Sequence, residues 1–341
     1  MQWNMFLAGR ILFGSRVSSL VGEKAKALGG NRALLVTDGT MLRLGIADRI
    51  AEQLRAAGCA VSVFSEVEPE PSVETVDRAA AIARAEGADV VVGLGGGSCL
   101  DAAKAVSVLA TNEGSAAVYQ GLGLVTKPGV PKIMIPTTAG TGSEVTFTAV
   151  LIRRSDGVKG GINGDFLYPD CSLLDPDLTV SMPPSVTAST GMDALAHALE
   201  AFTSRQASPF SDMFAREAIR RIGTSLRVAT FNGANAKARE NMMLAALFGG
   251  VALANAGVTA CHALAYPLGG MFGVAHGVSN ALLLSHVARF NAFASPERFA
   301  EAAALLGGDT YDIPERDGAL LCADLIGELV ADLGLPRTLR D

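Results

Sequence analysis

The sequence carries no basic cluster. Lysine and arginine total 28 against 34 aspartates and glutamates, for a net charge of -6. There is no Lys/Arg-rich run and no interleaved aromatic platform. A phosphate-backbone binder needs a clustered positive surface, so nucleic acid is not an expected partner. Secretory features are missing as well: residues 1–15 lack the basic, then apolar, then small pattern of a signal peptide. The longest apolar stretch toward the C-terminal half, residues 242–254, is broken by Gly249-Gly250 and ends at Asn255. It falls short of the ~18 residues of a membrane span, so a buried helix is expected and no membrane partner. The cysteines (Cys59, Cys99, Cys171, Cys261, Cys322) are odd in number, scattered and without a CxxC. Disulfide scaffolds look different, and a reducing cytoplasm is the expected compartment. Internal repeats and low-complexity tracts are lacking too.

What remains is a globular composition, 49% hydrophobic and 18% charged over 341 residues, long enough for two domains. The halves follow different patterns. In the first, short β-rich runs at 33–36, 60–64, 88–92 and 132–135 alternate with helical stretches at 44–57 and 73–86. Parallel neighbours need a crossover between them, so this alternation predicts an α/β domain with a parallel sheet. Pro183-Pro184 interrupts the chain, and long helical periodicity follows over 185–204, 210–228 and 236–268. We therefore expect an α/β domain over 1–180 and an all-α domain over 181–341.

Two glycine turns follow predicted strands. The first, Gly95-Gly96-Gly97-Ser98, opens a helix and suits a diphosphate cradle, because glycines admit close backbone approach and a helix N-terminus presents free N–H groups. It is not a GxGxxG, since Ser98 takes the third glycine's place. Ser98-x-x-Asp101 equally fits a helix-capping pair, as does Thr141-x-x-Glu144 after the second turn. Asp38, at the end of the first strand, suits a ribose hydroxyl and would repel a 2′-phosphate, or simply forms a turn before Gly39.

Histidine is scarce: His197, His262, His276 and His286 are all there are. Asp193 and His197 stand four apart on a predicted helix, so both emerge on one face, as metal ligands or as a local hydrogen-bonded pair. His262 and His276 lie in a stretch, residues 241–287, without any Asp, Glu, Lys or Arg. An imidazole in apolar surroundings needs a partner, and a shared cation serves two such histidines and an Asp/His pair together. Three imidazoles and a carboxylate suit iron, zinc, cobalt or nickel. Gly269, Gly270, Gly273 and Gly277 predict a flexible turn around His276. Tyr266 is one turn after His262 on the same face, near that site or as a core aromatic.

Five motifs in order, Gly95-Gly96-Gly97-Ser98-x-x-Asp101-x-x-Lys104, Pro136-Thr137-Thr138-Ala139-Gly140-Thr141-Gly142-Ser143-Glu144, Gly191-Met192-Asp193-Ala194-Leu195-x-His197-Ala198-x-Glu200, His262-Ala263-x-Ala265 and His276-Gly277-x-x-Asn280-Ala281, closely resemble the iron-containing (group III) alcohol dehydrogenases. The resemblance runs over nearly the whole chain. It implies an N-terminal nucleotide-binding domain, a helical C-terminal domain and a site in the cleft between them. It also implies hydride transfer between NAD and a small alcohol, aldehyde or ketone. Asp193, His197, His262 and His276 would hold one divalent ion, Fe2+ by family and Zn2+ as its competitor. Gly95, Gly96, Gly97, Ser98, Asp101, Thr137, Thr138 and Thr141 would hold the cofactor, and Asp38 would favour NAD over NADP. Tyr266, where many relatives carry another histidine, is the candidate hydrogen-bonding or proton-relay group. Relatives continue through further helices after Leu335-Pro336-Arg337, so the helical domain reads as shortened at Asp341. A homodimer is the common state for a soluble enzyme.

Three other activities compete. A dehydroquinate synthase-like lyase would want basic side chains around an anionic substrate, yet only Lys237 follows Lys159 among the lysines. A metal-independent maleylacetate reductase-like enzyme would not need the four-ligand set. A shortened, inactive nucleotide-binding relative would bind cofactor without turnover.

Overall fold

The computed structural model describes residues 3–340; Met1 and Asp341, the outer limits of the two expected domains, lie outside the described residues. The chain divides into two compact units. One comprises Leu7–Thr137 with Ser143–Leu178; the other comprises Thr138–Gly142, the chain from Thr179 onward, and the segment ending at Phe6.

The first unit contains, in chain order, β1 (Arg10–Phe13), α1 (Val21–Ala27), β2 (Arg32–Val36), α2 (Gly39–Arg43), α3 (Ile46–Ala56), β3 (Ala60–Phe64), α4 (Val73–Ala85), β4 (Val90–Gly95), α5 (Gly97–Leu109), β5 (Gly121–Leu122), β6 (Lys132–Pro136), β7 (Thr148–Arg153), β8 (Val158–Asn163) and β9 (Cys171–Leu174). Six strands form a parallel sheet in the order β1-β9-β6-β4-β2-β3. Its central strands are buried on both faces, as parallel sheets require. Leu34, Val36, Val91 and Met134 pack toward α4 and α5. Ala33, Leu35, Val90, Val92, Ile133 and Ile135 pack toward α1 and α3.

The connectivity matters more than the count of strands. After β2 the chain moves outward to the edge strand β3, and after β4 it moves the opposite way to β6. Neighbouring strands whose connections diverge leave a crevice at their carboxyl ends, where ligands bind in open α/β sheets. Thr37-Asp38 and Gly95-Gly96 occupy those two ends.

A second, three-stranded sheet runs β5-β8-β7, with β7 and β8 antiparallel. Periodicity left this hairpin unread. β7 carries the apolar run Ala149-Val150-Leu151-Ile152, but β8 carries Gly160-Gly161 and the turn Arg154-Ser155-Asp156-Gly157 is polar, so the second strand of the pair lacks an apolar run.

The helical unit contains α6 (Pro184–Thr203), α7 (Pro209–Phe231), α8 (Ala236–Ala256), α9 (Ala260–Phe272), α10 (His276–Asn291), α11 (Pro296–Leu305) and α12 (Glu315–Asp332). α6 is its central helix, buried throughout Gly191 to Phe202 and packed against α7, α8 and α10. The single helix expected over 236–268 is two helices, α8 and α9, bent by 105°. Gly257, in left-handed backbone (φ 72), ends α8. His276 is not on a turn, as expected, but is the first residue of α10. Gly273 closes α9 in left-handed backbone, with Val274 N bonded to Leu268 O at 3.2 Å, and the chain re-enters helix after only two more residues. Among the described residues no single helix is long and apolar enough to cross a membrane.

Candidate functional site

Asp193 and His197 sit one turn apart on α6, where Ala194, Leu195, Ala196 and Ala198 are buried around them. His262 is brought in by the first turn of α9 and His276 by the first residue of α10. Gly277 permits this seating: a Cβ there would lie 2.3 Å from Ser189 O on α6. Asp193 Oδ1 is 3.8 Å from His197 Nε2, 3.8 Å from His262 Nε2 and 3.6 Å from His276 Nε2. One ligand atom from each of the four residues lies within 4.8 Å of all the others. A tetrahedron with ~2.1 Å bonds has edges of about 3.4 Å, so the donor set fits a single transition-metal ion. Tyr266 follows on α9, its ring 6.0 Å from that of His276.

The protonation states suit ligation. Burial alone would raise the Asp193 carboxyl, but the imidazoles of His197, His276 and His262 and the Asn280 hydrogen bond outweigh it and hold the group at about 2. Burial pushes His197 below its ordinary value, against the attraction of Asp193, which keeps a ring lone pair free. The His276 side chain is 23% exposed against 3–7% for the other three, which makes it the member of the set most open to solvent.

Two further polar residues belong to the cluster, Glu200 and Asn280, near the ends of the motifs that carry His197 and His276. Asn280 Nδ2 donates to Asp193 Oδ1 at 2.7 Å and stands 3.2 and 3.3 Å from His262 Nε2 and His276 Nε2. Glu200, on α6, bonds His262. Their spacing was the available signal: Glu200 is three residues after His197, and Asn280 is four after His276, on the same helical faces.

In the α/β unit, β4 ends on Gly95, whose φ of 142 suits glycine; a Cβ there would also meet Cys99 Sγ at 2.6 Å. Gly96 caps α5 and no side chain closes its first turn. Ser98 and Asp101 are therefore not a capping pair. Ser98 lies inside α5, its Oγ accepting from Glu70 N at 3.3 Å. Asp101 accepts from Ser143 Oγ at 2.5 Å and Val150 N at 2.9 Å. Beyond Thr141, only the short 3-10 turn Ser143–Val145 forms, not a capped α-helix, because the chain turns into β7. Thr137 N bonds Gly95 O at 2.9 Å, while Thr138 and Thr141 lie in the segment grouped with the helical unit. Asp38 caps α2, Oδ1 accepting from Thr40 N and Met41 N, and its Oδ2 is 3.3 Å from Cys99 Sγ.

Glu144 is buried behind this loop beside Lys104. Burial lifts its carboxyl to about 7, against its own backbone hydrogen bond and the attraction of Lys104. Between its ordinary 4.5 and about 7 the folded chain holds a proton that the unfolded chain releases, so this group's contribution falls as pH rises through that window. E144Q removes the dependence. Urea unfolding at pH 5 and pH 8 is expected to show the variant gaining on the wild type by on the order of 3 kcal/mol at the higher pH.

Comparisons with known proteins agree with this geometry. The family description "Iron-containing alcohol dehydrogenase" matches residues 8–176, and "Fe-containing alcohol dehydrogenase family, C-terminal" matches residues 187–341. The chain is 45% identical to long-chain-alcohol dehydrogenase 1 of Geobacillus thermodenitrificans, over 95% of this chain and 82% of that protein. It is 44% identical to 1,3-propanediol dehydrogenase of Citrobacter freundii, over 96% and 86%. A solved 1,3-propanediol oxidoreductase superposes with a TM-score of 0.97 at 41% identity, covering all of this chain and 89% of the other. The chain belongs to the iron-containing alcohol dehydrogenase family.

Proposed function

We propose that this enzyme oxidises a small alcohol, and reduces the matching aldehyde or ketone, with NAD as hydride carrier and one divalent metal ion held by Asp193, His197, His262 and His276. The observation that carries this reading is the convergence of those four ligand atoms within 4.8 Å. A bound ion supplies Lewis-acid polarisation of the substrate oxygen and lowers the pKa of a hydroxyl. Asp193 contributes the one negative charge among the four. His276 is the most exposed member, and Tyr266, with its ring 6.0 Å away, is our candidate hydrogen-bonding or proton-relay group for the substrate oxygen.

Gly95, Gly96, Gly97 and Ser98, at the uncapped start of α5, suit the cofactor diphosphate, with Thr137, Thr138 and Thr141 as further polar contacts. Asp101 braces the cradle from behind, since Ser143 and Val150 occupy its carboxylate. Asp38 stands at the end of β2, where an acidic side chain accepts from a ribose hydroxyl and repels a 2′-phosphate. Serine also caps helices, so D38S is expected to keep α2 intact while raising kcat/KM for NADP relative to NAD by about tenfold, equivalent to ~1.4 kcal/mol. Initial rates with both cofactors check it; an unchanged ratio assigns Asp38 to capping alone.

The ligand set also takes zinc, which binds such sites more tightly than ferrous iron; ferrous iron is the family's metal. The test is NADH formation from a panel of alcohols by metal-stripped protein restored anaerobically with Fe2+ or Zn2+. Turnover only after metal addition supports the proposal. Turnover without metal, or none with either ion by folded, NAD-binding protein, overturns it.

A further inference from the structure

Glu200 is a carboxylate 2% exposed on α6, three residues after His197, and all its hydrogen bonds run to residues 259–262 at the start of α9. Oε1 accepts from Thr259 Oγ1 at 2.5 Å, Thr259 N at 2.9 Å and Cys261 N at 2.9 Å. Oε2 accepts from His262 N at 3.3 Å and is hydrogen-bonded to His262 Nδ1. Thr259, the residue before α9, makes no side-chain cap of its own. Glu200 therefore caps α9 from another helix, at the point where α8 and α9 part.

An ionised carboxylate only accepts hydrogen bonds, so Nδ1 must carry the ring proton. The Nε2 of a neutral imidazole is then a bare lone pair, which the Asn280 amide, 3.2 Å away, is placed to donate to. We propose that Glu200 is the positioning residue of the metal centre: by taking the Nδ1 proton of His262 it fixes the tautomer that presents Nε2 to the ion, and by capping α9 it fixes the ring's place. The proposal rests on the metal-centre reading above and adds an outer carboxylate to it.

Glutamine is the discriminating substitution. It has one accepting oxygen where Glu200 has two, and the three donors of Thr259 and Cys261 claim it. The amide NH2 then faces His262 Nδ1 and donates to it, which moves the ring proton to Nε2, the atom a metal needs. Two readouts follow. Competition with a chelator is expected to show Co2+ bound about 10–100-fold more weakly by E200Q than by wild type. In metal-free protein with 15N-labelled histidine, long-range 1H–15N correlation is expected to show the Nδ1–H tautomer for His262 in wild type and Nε2–H in E200Q, with His262→Ala providing the assignment. A cap alone would not move the tautomer.

Nε2–H in the wild type overturns the proposal, a test that stands even if E200Q does not fold. Wild-type Co2+ affinity in folded E200Q overturns it too. Wild-type protein that binds no Co2+ instead overturns the metal-centre reading on which it rests.

Discussion

His262→Ala is expected to lower kcat/KM for alcohol oxidation about a thousandfold, the equivalent of ~4 kcal/mol of lost transition-state stabilisation. Three reasons combine. His262 is one of only three imidazoles in the set; it is buried, so water replaces it poorly; and it is tied through Nδ1 to a carboxylate that orients it. Alanine fits α9 without strain, and Glu200 keeps its bonds to Thr259 and Cys261, so the helices should persist. Rates with saturating Fe2+, beside circular dichroism and metal analysis, separate loss of the site from loss of the fold. A folded variant with wild-type rate and metal content would remove His262 from the centre.

Lys104→Met is expected to cost about 3–5 kcal/mol of stability, the usual penalty for removing one partner of a buried charged network. Lys104 is fully buried. Its Nζ donates to Ser143 O at 2.9 Å, Thr146 Oγ1 at 3.2 Å and Thr148 O, and it lies 3.3 Å from Asp101. Burial lowers its pKa, opposed by Asp101 and Glu144. Methionine fills the space but leaves these acceptors without a donor and Asp101 without its cation. The same bonds hold residues 143–148, which continue directly from the Thr141-Gly142 turn, so NAD affinity should fall as well. Urea unfolding and NAD titration measure the two effects; a loss below about 1 kcal/mol would mean the network is dispensable.

Legibility of the fold followed the range of the interactions involved. β2, β6 and α6 are readable because a buried parallel strand or a core helix states its environment locally, residue after residue. So was the convergence of Asp193 with three histidines, because scarce polar groups in an uncharged stretch must meet something. The α8–α9 break is not settled by periodicity: the apolar run ends at Asn255 but no charged residue follows, and the turn depends on Gly257 and on Glu200, some sixty residues earlier in the chain. His276 was misplaced onto a turn because its glycines suggested flexibility, whereas Gly273 ends one helix and Gly277 lets the next pack on Ser189. Ser98 and Asp101 fit a cap by spacing, yet Asp101's partners, Ser143 and Val150, are tertiary. The β7–β8 hairpin has a polar turn, and glycines in β8 where an apolar run would mark a strand. For the α8–α9 break, His276 and the Asp101 cap, the deciding contact is distant in sequence.

The most direct test of the account is the coordination sphere itself. Protein loaded anaerobically with Fe2+ should contain one ion per chain, and X-ray absorption at the iron edge should report nitrogen and oxygen neighbours at about 2.0–2.2 Å, with imidazole scattering that weakens in His262→Ala. An ion that survives that substitution unchanged, a sulfur neighbour, or folded protein that takes up no metal would contradict it.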